Sequence, residues 1–403
     1  MIRQLRQLES MKQPIRVGLA GAGCMGMGIA RQIARTPGMH LSWVADTDLA
    51  SAEMAASFDS SCRAGVSVDQ MFDREPVDAF VESTNTIGPA LDYCLRAIEE
   101  RAHLVLMNAE VDLAFGPELL AASDQQGVMM TSDAGDQHGV LASMIHEIEL
   151  WGFDIVQAGN IKGFLNRYAT AEDLMGEAAK RNLNPIQCCA YTDGTKLNIE
   201  MAVLANAMGY VPVREGMSGP RASRVEQALD LFDFSKYPSL GVVDYLLGAE
   251  PGGGVYVIGR CGDEVQIPYL SYYKLGDGPY YLFYRPYHLC HLETPGAIAR
   301  VVLGQDAVLQ PWAGRVTEVY ARAKCDLPAG TKIEHAIGGD AFYGMIDCCS
   351  PARVPIALLE CEPGGQKPIL ARGLQKDEPL HWEDVEMPSG HLGDRLAHLQ
   401  AEL

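Results

Sequence analysis

Ile15 to Asp46 holds the residues whose types and spacing most clearly serve a chemical purpose. An apolar run, Ile15 to Ala20, is followed by Gly21, Gly23 and Gly26 in G-x-G-x-x-G spacing, with Cys24 and Met25 between the last two. Gly21 permits a tight turn, Gly23 lets a pyrophosphate approach bare backbone, and Gly26 lets helix and strand pack closely. A helix expected over Met25 to Ala34 offers unpaired N–H groups and a positive dipole end to the same phosphates. Leu41 to Ala45 reads as a second strand, and Asp46 ends it about 20 residues past the last glycine. An acid there accepts from the ribose hydroxyls of NAD and repels a 2′-phosphate. No Arg follows it, and Asp48 adds negative charge. The expected cofactor is therefore NAD or NADP, with NAD ahead. An ordinary glycine-rich turn would not bring strand, helix and acid in this order.

A second group of residues suits work on a carbonyl. Lys196 follows Thr192-Asp193-Gly194-Thr195 and precedes Leu197 to Met208, where Leu197, Met201, Leu204 and Met208 recur at helical spacing. A lysine in a first helical turn meets the positive dipole end, so this one is either a surface lysine or a functional, anion-facing group. Lys162 lies in Gly159-Asn160-Ile161-Lys162-Gly163. A cation at the carbonyl oxygen stabilises the alkoxide that develops as hydride arrives. Lys196 and Lys162 are thus the catalytic candidates, and Lys196 becomes a general acid if burial and a neighbouring cation lower its pKa. Asp136, in the polar loop from Ser132 to His138, is expected to orient a substrate hydroxyl or a lysine. Arg285 offers a planar fork for a phosphate or carboxylate, and His288 lies three residues on. His288, His291 and Glu293 can be read as metal ligands, but their spacing matches no established zinc motif, so no metal ligands are assigned. The expected pocket is electropositive.

These residues need a scaffold. After Asp46 the chain alternates: helix Asp48 to Phe58, strand Val77 to Glu82, helix Gly88 to Glu99, strand His103 to Met107, helix Gly116 to Gln126, strand Val128 to Thr131. Such alternation predicts an α/β fold with a doubly wound parallel sheet. Ligands on such sheets sit beyond the carboxyl ends of the strands. That rule selects Ser83 and Thr84, Asn108, and the Ser132 to His138 loop, although Ser, Thr, Asn and Asp also cap helices routinely. Gly139 to Leu150 is expected as a helix leading out of the sheet and Ile155 to Ala158 as a strand. A helical stretch follows from Ala171 to Asn182, then irregular chain from Gly209 to Pro251 with a helix near Val225 to Phe232, then strands at Val255 to Ile258 and Tyr281 to Tyr284. The expected domains are 1–150, dinucleotide-binding; 151–315, central catalytic and oligomerising; 316–390, small and all-β; and a polar tail, 391–403, that frays.

At 403 residues and 48% hydrophobic, the chain can bury several cores. A net charge of −20 argues against nucleic-acid or anionic-membrane partners. No apolar run of about 18 residues suggests a membrane span. The N-terminal stretch Met1 to Pro14 reads as a polar helical lead-in rather than a signal peptide. The 11 cysteines include no C-x-x-C pair and fit free thiols in a reducing cytosol.

The motifs VGLAGAGCMG, VLMNAEVD, DAGDQHG, DGTKLNIEMAVLANAMG and YRPYHL, with AKCDLPAGTKIE and LARGLQKDEPL, carry a resemblance over nearly the whole chain. The sequence resembles homoserine dehydrogenase-like oxidoreductases with a C-terminal SAF domain, in particular the 1-deoxy-D-xylulose 5-phosphate reductoisomerase-like enzymes. The resemblance implies a Rossmann domain, a central catalytic and oligomerising domain, and a β-clip SAF domain. It implies NAD(P)-dependent hydride transfer on a small, phosphorylated keto, aldehyde or polyol compound, with reductoisomerisation as one branch and a divalent metal only as an addition that no residue supports. It also implies a homodimer or higher homo-oligomer acting on a small anionic substrate. Lys196 falls at the position of the family's catalytic lysine, and Asp193 lies one residue from that of its preceding acid. Asp193 thereby joins the catalytic set, and Tyr287 and Asn198 join Arg285 and His288 in the substrate-binding set. The chain departs at Glu110, where homoserine dehydrogenases carry a lysine. Other expectations remain: an epimerase or dehydratase that uses bound NAD without net redox change, or a non-catalytic NAD(P) sensor or scaffold, since a Rossmann fold alone does not specify catalysis.

Overall fold

The computed structural model describes residues 1–403 except 182, 239–240, 305 and 362–363. Six strands form an N-terminal sheet: β1 (Ile15–Ala20), β2 (Met39–Ala45), β3 (Arg63–Gly65), β4 (Ala79–Glu82), β5 (His103–Leu106) and β6 (Met130–Ser132). Their order is β3-β2-β1-β4-β5-β6, and every pairing is parallel. The order reverses beside β1, so a crevice opens where β1 and β4 end, the position at which doubly wound sheets bind ligands. The short edge strand β3 and the helix Val68–Arg74 behind it are additions to the expected pattern. Three residues led by an exposed Arg63 show no alternation from which a strand could be read.

The helix expected from Gly116 begins seven residues earlier, at Ala109. Asn108 caps it, its side-chain oxygen accepting from the Glu110 and Val111 N–H groups at 3.1 and 3.2 Å. Gly116 and Pro117 suggest a start, yet they lie inside the helix. The consequence is functional, because Glu110 stands in a first helical turn instead of a loop.

A second, mixed sheet follows: β7 (Asp154–Lys162), β8 (Val211–Pro212), β9 (Val242–Leu247), β10 (Val255–Arg260) and β11 (Tyr280–Arg285), ordered β11-β10-β7-β9-β8. β7 runs four residues beyond its expected end and carries Lys162 at its last position. β9 lies in the stretch expected to be irregular. Asp244 interrupts its apolar pattern, and it is buried because its carboxylate accepts from the Ser218, Gly219 and Tyr245 N–H groups. The helix expected over Ala171 to Asn182 is shorter, Met175–Arg181, and Asn182 lies outside the described residues. The helix Thr195–Met208 is buried almost all round, as befits a helix lodged between other elements.

The last part is β12 (Thr317–Ala323), β13 (Phe342–Cys348), β14 (Ile369–Leu370) and β15 (Val385–Glu386), paired antiparallel in two small sheets. Two segments of this module pair with each other: the Leu327 and Leu374 backbones exchange bonds at 2.9 Å, and Lys332 bridges to Ile369. Between the central sheet and this module the chain returns to the first sheet. Ala297, Ile298 and Val308 join the core of Val17 and Ile29, and the Ser132 N–H donates to the Leu309 carbonyl at 3.0 Å. The tail does not fray: Leu392–Glu402 is a helix, with Leu392 packed among Leu91 and Ile98 and Arg395 paired to Asp92. Among the described residues no helix is long and apolar enough to cross a membrane, and the 11 cysteines are free.

Candidate functional site

One cavity of about 1290 Å³ runs from the glycine turn to Lys162 and Lys196, and on to Glu360 and Lys367 of the C-terminal module. It exceeds the roughly 300–1,000 Å³ usual for a single drug-sized ligand. Its two ends are built differently.

At the glycine end Gly21 has φ 89°, and a Cβ at Gly26 would stand 1.9 Å from the Gly21 oxygen, so only glycine lets helix Cys24–Arg35 sit on the turn. Gly23 caps that helix with no side chain bonded to its free N–H groups. Among the described residues, its chain neighbours apart, nothing lies within 4 Å of a Cβ built at Gly23. Room and unpaired donors thus coincide where a pyrophosphate is expected, and the residues fit a nicotinamide dinucleotide. Ser83 ties the end of β4 to this turn, its hydroxyl reaching the Ala20 and Gly21 carbonyls at 2.8 and 3.0 Å. Asp46 accepts from the Ala22 N–H at 2.6 Å and from the Asp48 N–H at 2.9 Å. Cys24, Met25, Asp46, Ser83, Thr84 and Asn108 all line the cavity. Asn108 is also committed to capping and to the Thr86 carbonyl, so capping and a place at the site coincide. Beneath them Glu82 is fully buried, and burial raises its pKa to about 7 against hydrogen bonds from Thr84 and Asn108.

At the other end Lys196 stands in the first turn of its helix, as expected, and its ammonium meets both Glu110 oxygens at 2.8 and 2.9 Å. Burial disfavours its charge, but Glu110 and the other surrounding groups outweigh burial and raise its pKa. The expected lowering does not occur, because its near neighbour is an acid rather than a second cation. Lys162 donates to Gln137 at 3.1 Å and lies 3.8 Å from Glu200. Asn160 donates to the same Gln137 and Glu200 oxygens at 2.7 and 3.1 Å. Asp136 caps the helix Gln137–Leu150. Burial works against its charge, but His138, Lys196 and His288 hold its pKa below the usual carboxylate value. His288 bonds through Nδ1 to the Gly253 carbonyl at 2.8 Å. Lys162, Lys196, Asp136 and His288 all line the cavity, although they come from four separate segments.

Four other candidates are placed elsewhere. Arg285 is held by Glu293 through two bonds of 2.9 Å and lies over the Tyr287 ring, 4.9 Å from its centroid. Its fork is occupied by a carboxylate of its own chain, so it is not offered to a substrate. Tyr287 is 51% exposed and outside the cavity lining. Asn198 bonds to the Gly194 carbonyl and to the Ile346 N–H, fastening its helix to β13. Asp193 is buried against Lys324 at 2.9 Å and accepts from the Thr195 N–H at 2.8 Å, which positions the helix of Lys196 without reaching the cavity. The site also contains residues that sequence reasoning did not assign: Glu110, Gln137, Glu200, Tyr191 and Cys290. Glu200 was findable, since it lies four residues after Lys196 on the same helix and so on the same face. The pocket is not electropositive: its lining has three lysines, Lys162, Lys196 and Lys367, and five acidic side chains, Asp46, Glu110, Asp136, Glu200 and Glu360.

Residues 135–294 match the family described as oxidoreductase DRL, catalytic domain. A homoserine dehydrogenase from Neisseria gonorrhoeae is 29% identical over 138 residues, 32% of this chain and 31% of that enzyme. The match therefore spans about a third of that relative's length. A candidate myo-inositol dehydrogenase from Sinorhizobium meliloti 1021 superposes with a TM-score of 0.44 at 14% identity, covering 74% of this chain and 93% of that one. GenD2 from gentamicin A biosynthesis, in complex with NAD, gives 0.40 at 14% identity over 74% and 90%. The chain is thus similar, in its central segment, to an oxidoreductase catalytic domain.

Proposed function

We propose that the protein is an NAD(P)-dependent oxidoreductase acting on a small hydroxy or oxo compound. The observation that carries this reading is the convergence of Lys162, Lys196, Asp136 and His288 on the cavity that begins at the uncapped glycine turn. A sensor needs the turn but has no use for buried lysines at the far end. The nicotinamide, when bound, gives or takes the hydride. The chain's own groups do the rest. Lys196, kept protonated beside Glu110, and Lys162 donate N–H bonds to the substrate oxygen and stabilise its negative charge as hydride arrives. Lys196 also exchanges the proton at that oxygen, while His288, its Nδ1 held by the Gly253 carbonyl, stands at the same end of the cavity. Asp136, held ionised, accepts from a neighbouring substrate hydroxyl.

Lys196 is already paired with Glu110 and Lys162 stands beside Glu200, which favours a neutral polyol or keto sugar over a phosphorylated one. Asp46, with its carboxylate already beside the glycine turn, favours NAD over NADP. The test is direct. Nicotinamide binding is read by quenching of reduced-cofactor fluorescence, followed by turnover on polyols and keto sugars with and without phosphate. We expect NADH to bind more tightly than NADPH, and oxidation of at least one neutral polyol. Absence of nicotinamide binding sinks the reading; turnover confined to phosphorylated compounds sinks the substrate class alone. Asp46→Ser should narrow the NAD preference.

A further inference from the structure

We propose that Asp136, His288 and Cys290 bind a single thiophilic divalent cation, Zn²⁺ rather than Mg²⁺, at the lysine end of the cavity. A carboxylate oxygen, an imidazole nitrogen and the thiol sulfur of these residues lie within 4.8 Å of one another, and all three residues line the cavity. Tetrahedral zinc at about 2.0–2.3 Å from its ligands sets them roughly 3.3–3.8 Å apart, so closure asks a movement of about 1 Å.

The backbone is built for that approach. The Cys290 N–H donates to the Gly135 carbonyl at 2.9 Å, and a Cβ at Gly135 would lie 2.0 Å from the Cys290 carbonyl oxygen. Glycine at this position lets the loop of Asp136 and the turn of Cys290 touch main chain to main chain. Cys290 itself has φ 35°, a conformation that a side-chain-bearing residue keeps only where its surroundings over-determine it. Those surroundings are visible. The Arg285–Glu293 fork closes the ends of the segment, and Glu293 also accepts from the Leu289 N–H at 3.1 Å. Arg285 and Glu293 are therefore positioning residues for the two ligands between them. The bond from His288 Nδ1 to the Gly253 carbonyl leaves Nε2 with its lone pair, the arrangement by which outer-shell carbonyls orient metal-binding imidazoles.

The ligand set chooses the ion. A thiolate with an imidazole favours zinc-like cations over magnesium or calcium, which prefer all-oxygen sites. Three protein ligands leave a position open, as in catalytic zinc sites. The local charge agrees, because a dication offsets the carboxylate of Asp136 and the thiolate that ligation creates. On binding, the Cys290 proton passes to solvent, so affinity rises with pH. An ion in this place would draw a substrate oxygen toward itself and polarise it. That role, though not the binding, rests on the oxidoreductase reading above.

The test uses the untagged full chain, stripped with chelator and dialysed against Zn²⁺ or Co²⁺, with Mg²⁺ as a parallel arm. We expect one Zn²⁺ per chain by elemental analysis, and a thiolate-to-cobalt charge-transfer band that Cys290→Ser abolishes. Cys290→Ser and His288→Gln should each weaken Zn²⁺ binding at least about tenfold with the circular dichroism unchanged; if one variant misfolds, the other carries the test. Cys348→Ser should bind as the parent does. Absence of stoichiometric Zn²⁺ or Co²⁺ uptake overturns the proposal, as does uptake undiminished in both variants or Mg²⁺ bound as tightly as Zn²⁺. Zn²⁺ uptake without nicotinamide binding supports the site and sinks the oxidoreductase reading; nicotinamide turnover without uptake does the reverse.

Discussion

At the glycine end of the cavity a ligand meets main chain: the bare turn at Gly21 to Gly26 and the free N–H groups of one helix, all within a single stretch of chain. At the lysine end it meets side chains brought from β7, from the starts of two helices and from the turn after β11. The first end needs space and little else. The second needs every charge to have its counter-charge, because burial of an unpaired ion is costly. A backbone site therefore depends on local conformation, whereas a side-chain network depends on the packing of the whole molecule.

Four substitutions can break or sharpen this contrast. The largest effect is expected at Lys324, 4% exposed and paired with Asp193 under the helix of Lys196. Lys324→Met leaves a buried carboxylate without its partner and should cost about 3–5 kcal/mol in urea denaturation. A loss under about 1 kcal/mol would show that the lysine end does not hang on that anchor. Next, Lys196→Ala should lower turnover about 10²–10³-fold, about 2.7–4 kcal/mol, while nicotinamide affinity survives. An equal loss in both would mean that the two ends are not separable.

Glu82 is the buried ionisable group beneath the glycine end, and its pKa is raised from 4.5 to about 7. In the window between these values the folded state holds a proton that the unfolded state has released. Its contribution is therefore fully present below about pH 4.5 and is lost as pH rises through about 7, up to about 3 kcal/mol. Asp112 and Asp133, raised by burial to about 6 and about 7, act in the same direction. Glu82→Gln should flatten the fall in melting temperature between pH 5 and 8; a slope as steep as the parent's assigns the effect to the other two. The smallest effect is expected for Gly23→Ala. Beyond its chain neighbours no described atom lies within 4 Å of the added Cβ, so stability should hold while cofactor affinity drops about tenfold, about 1.4 kcal/mol. Unchanged affinity would place the pyrophosphate elsewhere.

Much of the first sheet was legible because apolar runs, glycines and caps are local signals. The helix Gly88–Glu99 lies where its pattern placed it, and β1 and helix Cys24–Arg35 agree within a residue. Failures occurred where a tertiary contact overrode the local signal. Asp244 hides β9 because its carboxylate is satisfied by three main-chain N–H groups from outside and inside the strand. Gly116 and Pro117 hide the true start of the helix at Ala109, which Asn108 sets. The tail looked free because its anchors, Asp92 and the core around Leu91, lie some 300 residues away in the chain.

The sequence by itself determined the glycine turn, the strands and helix that flank it directly, and the placing of Lys196 in a first helical turn, since each follows from backbone geometry over a few residues. Only the tertiary structure decided what the charged residues are for. Arg285 looked ready for an anion until Glu293 took it, and Glu110 looked like a loop residue until the fold set it against Lys196. A charge is defined by its partner, and partners here come from elements far apart in the chain, so their pairing is a property of the packing and cannot be read from spacing.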